Sequence, residues 1–461
     1  MLLTLVLIFV VGYMLIALEH PLKIDKSATA LLLGMGLWVL YGIFSPTLIP
    51  QLYPEQLAEY AKHHASLAEH PGQLSLSFLL HKVLVLNLGE IAETIFFLIG
   101  AMTIVEIIDV HGGFSVITSK ITTRRKRLLL VIVCCITFFL SALLDNLTTT
   151  IVMLMLLRKI IPDQKERWLF AGMVIIAANT GGAWSPIGDV TTIMLWVKGN
   201  VTTGALISHV LLPSIVALAV PLTIVLFKLK GQIEPVEQTA AMNCITTQRE
   251  RTMFLCLGIS GLVFVPIFKS LTHQPPFIGV LLSLSVLWIF TEIFYNRKSL
   301  DCTQENRVGT IIKRIDISTL IFFFGILMAV SALQSSGILA TAAAWLDENV
   351  RNVFAINIIL GALSSIVDNV PLVAAAMGMY PVAEATATGY TAYFMVDGIF
   401  WEFLSYCAGV GGSILIIGSA SGVIAMGIEK IPFGWYLKRF SLLAILGYLA
   451  GAGVYILTTI I

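Results

Sequence analysis

Two short segments place an aspartate and an asparagine side by side within long apolar runs. Asp145 and Asn146 lie in "SALLDNLTTT", and Asp368 and Asn369 lie in "SSIVDNVPLV". A carboxylate deep in a membrane costs at least ~2.5 kcal/mol on insertion scales, so such residues normally mark functional positions. Carboxylate and amide oxygens are hard ligands that suit hard cations. The two pairs therefore predict a site for protons or small alkali cations.

A third carboxylate, Asp189, lies in the polar segment "ANTGGAWSPIGDVTT" (178–192). Removal from water favours its protonated form, whereas a bound cation favours its ionised form. A proton and a metal cation would therefore compete for it, and this competition is the minimal machinery of cation/proton exchange. Neutral oxygen ligands are predicted from nearby amides and hydroxyls, namely Asn146, Asn179, Asn369, Thr148, Thr191, Thr192, Ser364, Ser413, Ser419 and Ser421.

The composition indicates the elements that must position these residues. Of 461 residues, 57% are hydrophobic and 12% are charged, against about 25% charged in soluble domains. Apolar runs of roughly 20 residues recur along the chain, which is typical of membrane-spanning helices. We predict an all-α polytopic membrane protein with ten full spans, at 1–18, 28–46, 90–108, 168–198, 206–228, 252–268, 276–295, 315–334, 391–428 and 436–460. Residues 1–18 lack a basic start and a cleavage site, so we expect a retained span.

Two further apolar stretches, 128–160 and 353–381, carry the Asp-Asn pairs. Both flanks of 128–160 are rich in lysine and arginine, as cytoplasmic loops are. A re-entrant hairpin with the pair at its tip resolves this conflict, and such a tip must face protein or a watery cavity. With two such hairpins, 23 of the 28 lysines and arginines fall on the inside. Both termini are then outside, the first hairpin opens inward, and the second opens outward.

The two halves of the chain match each other. Ser141-x-x-x-Asp145-Asn146 corresponds to Ser364-x-x-x-Asp368-Asn369, and "ANTGGAWSPIGDVTT" corresponds to "AGVGGSILIIGSASG". Each half has five full spans, an odd number, so the second copy is inverted, and the site is expected at mid-membrane between the repeats.

This correspondence divides the chain into two repeats and a linker. The first repeat covers 1–229, with the hairpin 128–160 and a broken helix 168–198. A cytoplasmic linker covers 230–250, and the second repeat covers 251–461, with the hairpin 353–381 and a broken helix 391–428. Glycines should interrupt the two broken helices, namely Gly181, Gly182, Gly188, Gly411, Gly412 and Gly418.

Several classes of function are disfavoured. The six cysteines show no metal spacing, and no basic tract or nucleotide-binding motif indicates a nucleic acid or nucleotide partner. Ion gradients should therefore drive transport, without a cofactor. Paired aspartates could also serve an intramembrane aspartyl protease, but the inverted repeat and the broken helices argue against an enzyme.

The segments "LLDNLTTT", "VDNVPLV" and "ANTGGAWSPIGDVTT" resemble those of NhaD-type sodium/proton antiporters of the ion transporter superfamily, over nearly the whole chain. The resemblance implies electrogenic Na⁺(Li⁺)/H⁺ exchange across a bacterial inner membrane by a homodimer. The residues that it implicates in transport are Asp145, Asn146, Asn179, Asp189, Thr191, Thr192, Ser364, Asp368 and Asn369. Serines replace Asp189 and Asn179 in the second broken helix, which predicts a cation site that leans toward the first repeat.

Alternatives remain within the same fold. A Na⁺-coupled anion (dicarboxylate) or arsenite-type permease would use the aspartates for the coupling ion alone. An anion requires basic residues or free helix N-termini, and no lysine or arginine lies at the hairpin tips or breaks, so a cation substrate is favoured. Glu402 could be paired structurally or transfer protons, and His111 and His209 are candidate pH sensors.

Overall fold

The structure, a computed structural model, describes residues 1–17, 24–118, 123–233, 247–298, 307–366 and 369–460. Asp368, at the tip of the second predicted hairpin, and most of the linker 230–250 lie outside the described residues. The described chain is all-α. The helices of the first half are α1 (Leu2–Ala17), α2 (Lys26–Leu52), α3 (Pro54–His63), α4 (Pro71–Phe78), α5 (Val85–Val110), α6 (Lys126–Leu144), α7 (Asn146–Ile160), α8 (Gln164–Gly182), α9 (Val190–Val197) and α10 (Leu211–Lys228).

The second half of the chain forms a further run of helices. Its members are α11 (Gln248–Thr272), α12 (Pro276–Lys298), α13 (Ile317–Ser335), α14 (Ile338–Asn349), α15 (Val353–Leu363), α16 (Asn369–Met379), α17 (Ile399–Gly411), α18 (Ala420–Glu429) and α19 (Leu442–Ile460). Single helical turns lie between them at Ala65–Ala68, Ser115–Thr118, Thr203–Ala205, Val308–Ile311 and Phe433–Tyr436. Turns of π-helix precede both α10 (Leu206–Val210) and α19 (Leu437–Ser441).

Eight helices of the described chain are long and apolar enough to cross a membrane. Seven of them coincide with predicted spans, and the eighth is α6, the first arm of the first predicted hairpin. The other three predicted spans are divided or short: α1 has 16 residues, and 168–198 and 391–428 are each broken into two helices. The protein is therefore a polytopic membrane protein, whereas re-entry of the hairpins stays a prediction.

By packing, the described chain forms two compact units, and each contains segments of both sequence halves. The first unit covers 1–96, 316–352 and 373–381. In it α2 lies along α13, where Trp38 donates to the carbonyl of Met328 (2.9 Å). This approach requires glycine, because a Cβ at Gly34 would lie 2.3 Å from the carbonyl oxygen of Gly325.

The second unit covers 97–315, 353–372 and 382–461 and contains the polar segments of interest. In it α6 packs on α8, α15 packs on α17, and α10 packs on α19. Two matched contacts recur: the Ser141 hydroxyl donates to the carbonyl of Ala178 (2.6 Å), and the Ser364 hydroxyl donates to that of Ala408 (3.0 Å). The sequence correspondence between the halves thus extends to their local contacts. The inversion of one half relative to the membrane remains a prediction.

Candidate functional site

The first broken helix is interrupted between Gly182, the last residue of α8, and Val190, the first residue of α9. Pro186 lies within this interruption, and a proline cannot continue the hydrogen-bond ladder of a helix. Asp189 is the N-cap of α9: its Oδ1 accepts from the Thr191 backbone N–H and the Thr191 hydroxyl, both at 3.0 Å. Asp189 is only 1% exposed. The break therefore holds a carboxylate in a fixed position inside the protein.

The two asparagines of the Asp-Asn pairs meet at this carboxylate. Asn146 Nδ2 donates to Asp189 Oδ2 (2.7 Å), and Asn369 Nδ2 lies 3.3 Å from Oδ1 and 3.2 Å from Oδ2. Both amides are buried. One asparagine from each half of the chain thus contacts the same acidic group, and the donors described around it are neutral.

Asn179 connects the two broken helices. Its Nδ2 donates to the hydroxyls of Ser413 and Ser419, both at 2.9 Å. Its Oδ1 accepts from the Ser421 hydroxyl (2.7 Å) and from Asn146 Nδ2 (3.2 Å). The serines of the second break therefore reach the carboxylate of the first break through two amides.

Asp145 adopts a different position from its neighbour Asn146. It is the N-cap of α7 and has a positive φ of 91°, which non-glycine residues rarely adopt. Its Oδ1 accepts from the Thr148 backbone N–H (2.7 Å), and its Oδ2 accepts from the Thr148 hydroxyl (2.9 Å). Both oxygens thus bond to its own helix, one residue away from the Asp189 cluster.

The remaining predicted site residues have local roles in the structure. Thr192 completes a capping box with Asp189, because its hydroxyl accepts from the Asp189 backbone N–H (3.2 Å). Ser364 bonds to the backbone of α17, as described above. The predicted hinge glycines lie in tight packing: a Cβ at Gly181 or Gly411 would lie 2.2 Å from the carbonyl oxygen of Phe138 or Gly361 respectively.

This cluster has the chemistry of an alkali-cation site. Asp189 supplies a carboxylate, Asn146, Asn179 and Asn369 supply amide oxygens after rotation of the amide groups, and the serines supply hydroxyls. Hard oxygen donors suit Na⁺ or Li⁺ better than soft metals. In the part of the chain that the structure describes, no group of three or more His, Cys, Asp or Glu side chains could hold a resident metal ion.

Sequence reasoning missed the role of Glu429, the last residue of α18, which is 1% exposed. Its Oε1 lies 2.7 Å from Arg158 Nε, and its Oε2 lies 3.0 Å from Arg167 Nε. Gln164 and Trp168 donate to its backbone carbonyl, at 3.1 and 2.9 Å. Buried carboxylates normally have a charged partner, so the arginines that flank 128–160 were a signal that such an acid lies nearby. The local sequence "IEKIP", however, is typical of a solvated helix end.

The sequence predicts that Glu402 is either paired structurally or transfers protons, and the structure shows its partners. It is 3% exposed, accepts from the Tyr455 hydroxyl (2.9 Å), and lies 2.9 and 3.0 Å from His209 Nδ1. Asp397 caps a different segment, where it accepts from the Thr202 backbone N–H (2.5 Å) and hydroxyl (2.9 Å).

His111, the other candidate sensor, lies just beyond the end of α5. It stacks on Phe254, its Nε2 lies 2.7 Å from the Tyr295 hydroxyl, and its Nδ1 lies 2.7 Å from the carbonyl of Ile107. Burial lowers the pKa of His111 to about 4. The imidazole is therefore neutral near physiological pH, which disfavours its role as a sensor.

Comparison with known proteins adds an independent line of evidence. The sequence profile of the citrate transporter family (CitMHS) matches residues 13–401. Sodium/proton antiporter 1 of Arabidopsis thaliana is 41% identical over 453 residues, which cover 98% of this chain and 71% of that protein.

Two further relatives match over most of their lengths. Sodium/proton antiporter 2 of Arabidopsis thaliana is 40% identical over 453 residues, 98% of each chain. The Na⁺/H⁺ antiporter NhaD of Alkalimonas amylolytica is 28% identical over 478 residues, which cover 97% of this chain and 89% of that protein. The matched stretch therefore spans both broken helices and both segments that carry the Asp-Asn pairs.

Proposed function

The chain belongs to the citrate transporter (CitMHS) family, and from that membership and its full-length relatives we propose that it is a secondary Na⁺/H⁺ antiporter. It is a multi-pass membrane transporter of the NhaD type. The single observation that carries the exchange reaction is the buried carboxylate of Asp189 in contact with Asn146 and Asn369. Each asparagine comes from one of the two Asp-Asn pairs.

Asp189 is the group that Na⁺ and H⁺ occupy in turn. A buried carboxylate among neutral donors is stabilised by any small cation that neutralises its charge. With a proton bound, the amide groups donate to a neutral acid. With Na⁺ bound, rotation of the Asn146 or Asn369 amide replaces an N–H by an oxygen ligand. Binding of one cation therefore excludes the other, as exchange requires.

Asp145 and Asp368 are proposed as further carboxylates of the cation pathway. Asp145 adjoins Asn146, and release of its bond to the Thr148 hydroxyl would free one oxygen. Asp368 adjoins Asn369 and is its counterpart in the other half, although it lies outside the described residues. Four hydroxyls complete the proposed site, either as direct oxygen ligands or through hydrogen bonds to the residues that bind the cation. They belong to Thr191, Ser413, Ser419 and Ser421.

Alternating access follows from the inverted repeats 1–229 and 251–461. The re-entrant hairpins and the broken helices would uncover the cluster to one side at a time. We propose that cytoplasmic Na⁺ or Li⁺ leaves in exchange for external protons, across a bacterial inner membrane. Both termini would be outside, and the working form would be a homodimer.

The name of the family raises transport of an anion as the rival function. A citrate-like anion would meet the carboxylate of Asp189, so it would bind only after cations had neutralised that charge. A small cation would neutralise this charge directly and could gain amide oxygens as further ligands after rotation of Asn146 or Asn369. The full-length relatives are named antiporters, which also favours exchange of cations.

The direct test uses purified protein in liposomes that contain a pH-sensitive dye. An imposed Na⁺ gradient should drive proton movement in the opposite direction, and Li⁺ should substitute for Na⁺. Choline gradients and protein-free liposomes provide the controls. Uptake of labelled citrate, with and without Na⁺, is measured on the same preparation.

Proton movement that depends on Na⁺, without citrate uptake, would support the proposal. Citrate uptake stimulated by Na⁺, or no proton movement with either alkali ion across neutral and alkaline pH, would overturn it.

A further inference from the structure

A second buried carboxylate, which is not among the residues of the cation cluster, lies in the first turn of α17. Glu402 is 3% exposed and bonds to two titratable side chains, Tyr455 of α19 and His209 of the π-helical turn before α10. Its partners therefore come from both halves of the sequence. The Asp189 cluster uses neither of these residues.

The imidazole of His209 has one buried and one open side. Its Nδ1 lies within hydrogen-bond distance of both oxygens of Glu402, at 2.9 and 3.0 Å, yet its side chain is 58% exposed. A carboxylate only accepts hydrogen bonds, so Nδ1 carries the hydrogen, and Nε2 is the position that can take up a proton. The pair therefore has a net charge of −1 before proton uptake and zero after it.

The groups around Glu402 and His209 determine how much the change in net charge matters. Asp397 also acts on Glu402, and Cys407 of α17 acts on Tyr455. From α15, the neutral Asn357 donates to the carbonyl of Phe400 (3.2 Å), two residues before Glu402. None of the groups named here carries a permanent positive charge, in contrast to the two arginines at Glu429. An uncompensated buried charge is costly, so proton uptake stabilises the contact between α17 and the segment before α10.

We propose that His209 and Glu402 form a second proton-binding site, separate from the Asp189 cluster, whose occupancy fixes the second broken helix. The proton enters at Nε2 of His209. His209 lies six residues after Thr203, where the helical segment begins. Binding of the proton converts a bond between a neutral imidazole and a carboxylate into an ion pair. Because α17 leads into the second break, this ion pair opposes movement of the helix that carries Ser413, Ser419 and Ser421.

The proton-binding step can be tested without transport. The protein labelled with ¹⁵N-histidine is titrated in detergent, and the signal of His209 is assigned as the one that His209→Gln removes. In the unaltered protein this signal should report an imidazole that is hydrogen-bonded at Nδ1. In Glu402→Gln the pH midpoint of its titration should differ from that of the unaltered protein, because the carboxylate that contacts Nδ1 is absent. Glu429→Gln is the matched control and should leave the midpoint unchanged.

The second measurement rests on the proposed function, since it follows Na⁺-dependent proton movement in liposomes against pH. His209→Gln cannot form the ion pair, so exchange should persist about one pH unit further towards acid than in the unaltered protein. His111→Gln, at the buried neutral imidazole, should leave the profile unchanged. His209 is exposed, so its substitution should preserve folding.

The two measurements separate the two ideas. An unchanged His209 titration in Glu402→Gln would overturn the proton site even if exchange is found. A shifted titration with an unchanged pH profile in His209→Gln would overturn the coupling to α17. If the unaltered protein shows no exchange, the proposed function fails, and the titration still decides whether the site exists.

Discussion

Asp189 and Glu429 are equally buried, at 1% exposure each, yet they are surrounded by opposite kinds of partner. Amides, a hydroxyl and a backbone N–H surround Asp189. Glu429 contacts Arg158 and Arg167, which carry permanent charges. The contacts described at Asp189 come from neutral groups, whereas those of Glu429 include two cationic side chains.

The difference indicates that the burial of a carboxylate has to be interpreted together with its partners. Removing one partner of a buried ion pair costs several kcal/mol, because a charge is left in the interior. Glu429 therefore serves to fix the end of α18 to the region where α7 ends and α8 begins. A carboxylate bonded by neutral donors can exchange a proton for a metal cation, which suits the proposed role of Asp189. The sequence position of a buried acid does not distinguish these roles, but its partners do.

The largest effect is expected for Asp189→Asn, which keeps the N-cap of α9 and removes the charge. Na⁺-dependent proton movement in liposomes should fall at least about 100-fold, since without the carboxylate neither cation has a compensating charge. The matched variant is Glu429→Gln, the same change of acid to amide at an equally buried position.

Per folded molecule, Glu429→Gln should keep exchange within about threefold, because its role is structural. Equal losses in the two variants, measured on protein that elutes as a single folded species, would remove the distinction between them. Retained exchange in Asp189→Asn would exclude Asp189 as the group that binds both cations.

Much of this site follows from residue types and spacing. The two Asp-Asn pairs and the glycines of the two breaks predict which polar segments come together in the structure, and seven spans follow from apolar length alone. Asn146, Asn179, Asp189 and Asn369 form one cluster, as their shared chemistry suggested.

The orientation of individual side chains does not follow from spacing. Asp145 and Asn146 are adjacent, but a positive φ at Asp145 directs its carboxylate to Thr148, and only Asn146 reaches Asp189. Likewise, the position of Glu429 at the end of an apolar run suggests a solvated side chain. In the structure it is buried against arginines that lie 262 and 271 residues away along the chain. Such pairs arise from tertiary packing, which a local pattern does not contain.

An intermediate effect is expected when an amide that contacts Asp189 is removed. Asn146→Ala and Asn369→Ala should each raise the KM for Na⁺ about tenfold. A hydrogen bond or ligand at a charged group contributes about 1.5 kcal/mol, which corresponds to that factor. The maximal rate should change less, since the carboxylate remains.

Ser141→Ala is the control for these two variants. Ser141 donates to the backbone of α8 near the same cluster, so its loss should leave the KM for Na⁺ unchanged. If all three variants raise KM equally, the amides have no specific part in binding. If only Asn146→Ala does so, the site involves the first half alone.

The smallest effect on exchange, and the largest on stability, is expected at Glu429. In Glu429→Gln the guanidinium groups of Arg158 and Arg167 lose their carboxylate, and Arg167 is mostly buried while Arg158 is 43% exposed. Because one arginine can reach solvent, we expect a loss near the lower end for a broken buried pair, about 3 kcal/mol. Thermal unfolding in detergent, at one fixed scan rate, should show a clearly lower midpoint.

Asp189→Asn should behave in the opposite way in this assay. Removal of a desolvated charge among neutral donors, with the helix cap retained, should leave the midpoint unchanged or raise it. Addition of Na⁺ should then stabilise Glu429→Gln, as it does any protein that binds the ligand only when folded, but should have no effect on Asp189→Asn. A midpoint that falls equally in both variants would mean that Asp189, like Glu429, holds the fold together and leaves cation binding to other residues.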